Sequence, residues 1–284
     1  MHFRIRHSLT YRYDQPVFLE PLTVRLIPRQ DPSQRLLYHR LAVEAEASGR
    51  SEGLDADGNA SVVLWFDELR ERLDLSVEME VETLRVNPFD WIMTDSAAAV
   101  LPVSYPPPIA RSLGPFLAQE AIDPTVVEWA ASQAAAVNQA TPAFLMALAD
   151  TIHHGFHHVG RPEGDPTEPV ETLACRSGAC RDTAMLYVEA CRSLGLASRF
   201  VSGYSMHHPP EVSEHELHAW AEVYLPGAGW RAYDPSLGLA VADGHVVLAV
   251  APDHRLAAPV SGSFRGTGVG STMAYRVELQ AGLR

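Results

Sequence analysis

Apolar and polar residues alternate strictly from Phe3 to Tyr13, with Phe3, Ile5, His7, Leu9, Tyr11 and Tyr13 on one side, which predicts a half-buried strand. The stretches 22–27, 36–45, 62–66 and 73–81 are also β-like, and in the last of these Leu73, Leu75, Val77, Met79 and Val81 alternate with acids and Ser76. Asp55-Ala-Asp57-Gly58-Asn59 is a turn signal between two of them. The pattern over residues 1–90 therefore predicts a small antiparallel β-sandwich.

The texture changes after Asn87. Pro88, Pro102, Pro106, Pro107 and Pro108 predict a connection without regular helix or sheet over 91–115. Asp123-Pro124 then opens a helix through Val137, and Thr141-Pro142 a second through Phe156, with proline at the start of each. A third runs from near Cys180 to Leu194, its buried stripe formed by Ala184, Leu186, Tyr187, Ala190, Cys191 and Leu194, and Gly195 ends it. Strand-like stretches follow at 198–205, 218–225, 230–233 and 245–250. The Gly/Ser-rich tract 261–271 reads as a mobile loop, and the alternating run 273–279 as a strand that closes a sheet. The expected architecture is α+β, with a sandwich over 1–90 and a second domain over 116–284 in which helices pack on an antiparallel sheet.

Composition narrows the function classes. The chain has 284 residues, 46% hydrophobic and 20% charged, values of an ordinary globular protein. A formal charge of −13 repels a phosphate backbone, so nucleic acid is not an expected partner. The arginines at 4, 6, 12, 25 and 29 alternate with apolar residues and read as the solvated face of strands. No export signal and no uncharged apolar run of about 18 residues is visible. Three cysteines suit free thiols in a reducing compartment, so the expectation is a cytoplasmic protein with no membrane partner.

The candidate chemistry lies in the second domain. Ser177, Gly178 and Ala179 let the chain turn sharply into a helix that begins at Cys180. A thiol there gains from the helix macrodipole as thiolate, and the Cys180 N–H can donate to an oxyanion. His218 lies in an alternating strand pattern, and Asp234 ends the next strand after the turn at 226–229. Adjacent antiparallel strands bring an imidazole and a carboxylate side by side, as a general base and its orienting acid require. Each residue alone has a structural explanation; the ordered set of thiol, imidazole and carboxylate points to nucleophilic catalysis.

These residues also carry a resemblance. Gly178-Ala-Cys180-Arg-Asp182, Cys191-Arg-Ser-Leu-Gly195, Arg199-Phe-Val-Ser-Gly203-Tyr204, His218-Ala-Trp220-Ala-Glu222-Val-Tyr224 and Gly229-Trp230 to Asp234-Pro235 resemble the bacterial transglutaminase-like superfamily of papain-type thiol enzymes. Residues 1–90, with Tyr11-Arg-Tyr13 and Asp57-Gly58-Asn59 to Trp65-Phe66, resemble the β-rich region that accompanies this family. The resemblance implies Cys180 as nucleophile, His218 as base and then acid, and Asp234 as orienting carboxylate, acting on a peptide or protein substrate without a cofactor. Its members include cross-linkers, amidases, peptidases and inactive binding versions. The chain departs from the pattern at Thr183, where an aromatic is common, and at Ser236, where threonine is usual.

Tyr204, Trp220 and the polar stretch 207–216 are expected to rim the cleft, with Glu211, Glu214 and Glu216 favouring a cationic substrate. Asp182 is a further cleft candidate, although its place near the helix start also suits a capping role. His153, His154, His157 and His158 form two i,i+4 pairs, but no glutamate completes a metal motif and Gly155 interrupts the helix, so no metal is expected. Cys191 reads as core and Cys175 as a spectator, since the spacing from Cys175 to Cys180 is not that of a redox pair.

Overall fold

The computed structural model describes residues 1–44, 46–119, 121–161, 164–207 and 215–282. Its N-terminal part is built from β1 (His2–Leu19), β2 (Leu22–Val24), β3 (Gln34–Glu44), β4 (Gly49–Leu54), β5 (Ala60–Trp65) and β6 (Leu69–Thr83). β6 lies between β1 and β3, antiparallel to both, and β5 lies between β2 and β4. The predicted alternation holds along β1 and β6: Phe3, Ile5, Leu9, Leu73, Leu75, Val77, Met79 and Val81 are all buried, in one apolar cluster with Val24, Val62 and Leu64 of the other sheet. β1 is longer than its alternating run, with a register irregularity between Arg12 and Val17.

The connection is not free of regular structure. α1 (Pro107–Ser112) starts there, with Pro106 at its N-cap and Pro107 and Pro108 in its first turn. A missing N–H costs nothing at those positions, which is why three prolines open the helix and do not break it. α2 (Pro124–Ala136) and α3 (Thr141–Gly155) follow close to their expected bounds. A two-residue strand, β7 (His157–His158), then precedes α4 (Pro169–Cys175), a helix absent from the sequence expectation. Next come β8 (Ser177–Gly178), which pairs with β7, and α5 (Cys180–Ser193).

The second sheet contains β9 (Ser198–Ser205), β10 (His218–Leu225), β11 (Gly229–Asp234), β12 (Leu239–Ala240) and β13 (His245–Ala251), in the order β12-β11-β10-β9-β13 with every pairing antiparallel. α5 packs across β10 and β9. Every residue of β9 and β13 is buried. The helices cover part of this sheet, and the sandwich covers another part. Tyr204, Val246 and Leu248 accordingly belong to the same buried cluster as Phe3, Phe66 and Val77.

The chain then returns to its beginning. β14 (Val260–Ser261) pairs with β2, β15 (Phe264–Arg265) with β1, and β16 (Ser271–Gly282) with β1 over His2–Tyr13. The tract expected to be a mobile loop therefore supplies two short strands to the sandwich. The second domain does not extend to the end of the chain, because from Val260 onward the residues complete the first. None of the helices described is long and apolar enough to cross a membrane.

Candidate active site

The approach to α5 is sterically defined. Arg176 adopts a left-handed conformation, with φ of 50°, and a Cβ on Gly178 would lie 2.8 Å from the Cβ of Asp182, so that position accepts only glycine without displacement. Asp182, in the first turn of α5, accepts the Ala179 N–H at 2.7 Å, the Thr167 N–H at 2.8 Å and the Arg161 guanidinium. It is 2% exposed. These bonds hold the 176–179 turn against the helix start and leave Cys180 as its first residue, half-buried. The N–H of a first helical residue has no acceptor within its helix.

Three elements deliver the other groups. Cys180 and His218, the latter at the start of β10, line the same cleft, with the thiol close enough to help hold the imidazole charged. His218 Nε2 donates to Asp234 Oδ2 at 2.6 Å, so the other ring nitrogen is the one left for the thiol. Asp234, at the end of β11, is fully buried. Its Oδ1 accepts from the Ser236 hydroxyl at 2.7 Å, the Ser236 N–H at 3.0 Å and the Leu237 N–H at 3.2 Å. The serine at 236 thus retains the hydroxyl that the carboxylate uses.

Burial alone would lower the His218 pKa, but the Asp234 charge and hydrogen bond, with the Cys180 contacts, outweigh it and raise the ring to about 10. Burial likewise works to raise Asp234. The His218 charge and the imidazole hydrogen bonds prevail, and hold its carboxyl well below the usual range. At neutral pH the pair is an imidazolium beside a carboxylate.

A fourth group escapes the sequence reading. His245, first residue of β13 and almost fully buried, donates from Nε2 to the same Asp234 Oδ2 at 3.0 Å. Burial lowers its pKa more than Asp234 raises it, so this ring stays neutral. Its signal in the sequence is a polar residue heading the run His245-Val-Val-Leu-Ala-Val-Ala251, every residue of which is buried. The nitrogens of His218 and His245 and a carboxylate oxygen of Asp234 lie within 4.8 Å of one another, the spacing of a metal-holding group among the described residues. In this structure those atoms bond one another directly.

Of the expected cleft residues, Trp220 lies beside the imidazoles, stacked on His218 with ring centroids 5.9 Å apart and edge-on to His245 at 5.0 Å. It is fully buried and walls the pair from behind. Tyr204 is not in the cleft: β9 is covered on both faces, and the Tyr204 side chain enters the sandwich core, where its hydroxyl meets His7 Nδ1 at 2.9 Å. Asp182 is not there either, since its oxygens are consumed in capping α5. Residues 208–214, with Glu211 and Glu214, lie outside the described residues; Glu216 does line the cleft. His153 bonds the Ser236 carbonyl at 2.9 Å, and His158 lines the cleft, so the histidine-rich segment is divided between structural and cleft positions. All three cysteines are free thiols; Cys191 is buried in the core and Cys175 exposed.

The cleft has a volume of about 260 Å³ and contains Cys180 and His218. Leu9, Tyr11, Met273 and Tyr275 from the sandwich line it opposite residues of the second domain, among them Arg181, Phe200 and Ala219. The sandwich thus forms one wall of the site.

Known proteins give the same outline. Residues 3–82 match the model of the bacterial transglutaminase-like N-terminal region, and residues 128–235 that of the transglutaminase-like superfamily. An uncharacterized protein of Mycobacterium tuberculosis is 27% identical over 274 residues, covering 92% of this chain and 86% of its own. One from Mycobacterium leprae is 25% identical over 283 residues, covering 93% and 94%. The crystal structure of a candidate cysteine protease from Cytophaga hutchinsonii superposes with a TM-score of 0.76 at 22% identity, covering 99% of this chain and 90% of that one, and so shares the fold. With the N-terminal region and the core region both matched in order, the chain belongs to the transglutaminase-like superfamily.

Proposed function

We propose that the protein is a cysteine-dependent amide hydrolase that works through a thioester. The observation that carries this reading is the hydrogen-bonded His218–Asp234 pair beside Cys180 at the head of α5, with thiol and imidazole lining one cleft able to receive a substrate. Cys180 attacks the amide carbonyl as thiolate. The charge that develops on oxygen is met by the Cys180 N–H at the head of α5, which has no acceptor within its own helix. The carbon–nitrogen bond then breaks, with the imidazolium of His218 giving its proton to the departing amine. Water, deprotonated by the now neutral ring, attacks the thioester carbon, and the acid leaves as the thiol is restored.

Acyl transfer to an amine uses the same first half. Leu9, Tyr11, Phe200, Ala219 and Met273 give the cleft an apolar lining, which keeps water from the thioester and favours an incoming amine as acceptor. Mass spectrometry of glutamine-containing peptides, incubated with and without methylamine, separates the two. Free acids or shortened peptides in both samples mark hydrolysis, whereas methylamide products mark transfer. Either activity should fall about 10⁴-fold in Cys180→Ala. Turnover that survives this substitution in a folded protein sinks the covalent mechanism.

A further inference from the structure

The wall that the sandwich gives to the cleft is an ordered ladder. In the β1–β16 register Leu9 faces Tyr275, Tyr11 faces Met273 and Tyr13 faces Ser271. The first two rungs line the cavity that holds Cys180. Tyr11 also lines a second cavity of about 430 Å³, as do Tyr13 and Ser271. Tyr11, Asp165, Ala258 and Val260 are common to both, so the two spaces are consecutive parts of one groove. Its far part is lined by Leu73, Tyr13 and Phe264, the last two packed edge to face with centroids 4.9 Å apart. At about 3.4 Å per residue, the floor from Leu9 to Tyr13 is about 14 Å long, room for about four extended residues.

From this ladder we infer that the sandwich is a substrate-binding domain: it holds an extended, partly apolar polypeptide segment that continues from the scissile amide at Cys180 to the aromatic pair Tyr13 and Phe264. The inference rests on the thiol-site reading, because the groove gains its occupant by continuity with that cleft. The side chains on the inner face of β1 support it. Ile5, His7 and Leu9 are buried before them and Val17 and Leu19 after them, whereas Tyr11 and Tyr13 are only partly covered, so β1 leaves the core at these two residues and presents them to the groove. A substrate of one or two residues would leave the far part unused.

The test separates the groove from the chemistry. Fluorescein-labelled tripeptide and nonapeptide pools of randomised sequence are titrated into the full-length Cys180→Ala protein, with binding read by fluorescence anisotropy. Nonapeptides should bind more tightly than tripeptides. Tyr13→Ala, or Ser271→Arg, which plugs the groove from an exposed position, should weaken nonapeptide binding about 10-fold or more while tripeptide binding is unchanged. Equal binding of both lengths, or nonapeptide binding indifferent to Ser271→Arg in a protein of normal melting temperature, overturns the inference. So does binding of labelled chito-oligosaccharides in place of peptides. If the length dependence holds but the wild-type protein releases no product, the thiol reading fails and the groove stands.

Discussion

Asp234 is the most constrained side chain of the site, since five hydrogen bonds converge on its two oxygens. Its pairing with His218 makes a stability contribution whose pH dependence follows from the raised imidazole. The ring goes from the ordinary 6.5 to about 10 on folding, so between those values the folded chain keeps a proton that the unfolded chain has released. The contribution is complete below about 6.5 and drains away as the pH rises towards 10. The melting temperature of the wild type should therefore drop over that interval, measured by circular dichroism. In His218→Ala the drop should be smaller; an identical slope means that the ring is not held protonated. His245 acts on Asp234 from its other side and is a positioning residue. Replacing it with alanine should lower kcat about 10- to 100-fold with KM unchanged, and His245→Gln, which restores an N–H donor, should recover part of the loss. A KM effect, or no recovery with glutamine, removes that role. Cys180, His218 and Asp234 were legible in the sequence because their spacing fits a strand–turn–strand arrangement beside a helix start. His245 was not, since the pairing of β13 with β9 that brings it in is non-local.

At the scale of the element, α5 depends on a single acid. The sequence marks a helix start with small residues, yet leaves open whether Asp182 faces the substrate or the helix. The structure decides for the helix, because Gly178 lets the chain come close enough for the carboxylate to bond the Ala179 and Thr167 amides and Arg161. Asp182→Ala leaves those buried donors unpaired and should cost about 2–3 kcal/mol of stability in urea denaturation. It should also slow alkylation of Cys180 by iodoacetamide, because the 176–179 turn that presents the thiol loses its tether. Unchanged stability and labelling show that the turn holds itself. Tyr204 teaches the converse lesson. Alternation tells which residues share a face of a strand, but β9 is buried on both faces, so alternation along it cannot tell which residues reach a cleft. The prolines at 106–108 and the Gly/Ser tract misled in a similar way, since local composition does not register that a proline is harmless in a first helical turn or that a short strand needs only an edge to pair with.

At the scale of the whole molecule, the two ends of the chain lie in one sheet. β16 covers one edge of β1 along its first twelve residue pairs, from His2 with Gly282 to Tyr13 with Ser271, while β6 covers the other. The alternation of 273–279 signalled a strand, but not its partner, which lies at the opposite end of the sequence. The sandwich over residues 1–90 consequently lacks β14, β15 and β16 when taken alone, and it also exposes the apolar surface that Tyr204, Val246 and Leu248 cover in the full chain. An uncovered β1 edge and an open core favour association over folding. Residues 1–90 expressed alone should therefore give no cooperative thermal transition, and the full chain should unfold in one transition because the second sheet and the sandwich share a buried cluster. Truncation after Gly270 keeps Cys180, His218, Asp234 and His245 but removes β16, and with it Met273 and Tyr275 from the cleft wall. That variant should lose cooperative unfolding by calorimetry and expose apolar surface to a hydrophobic dye. If instead it melts as the intact chain does, the closing strand is an accessory, and the cleft wall is carried by the remaining strands.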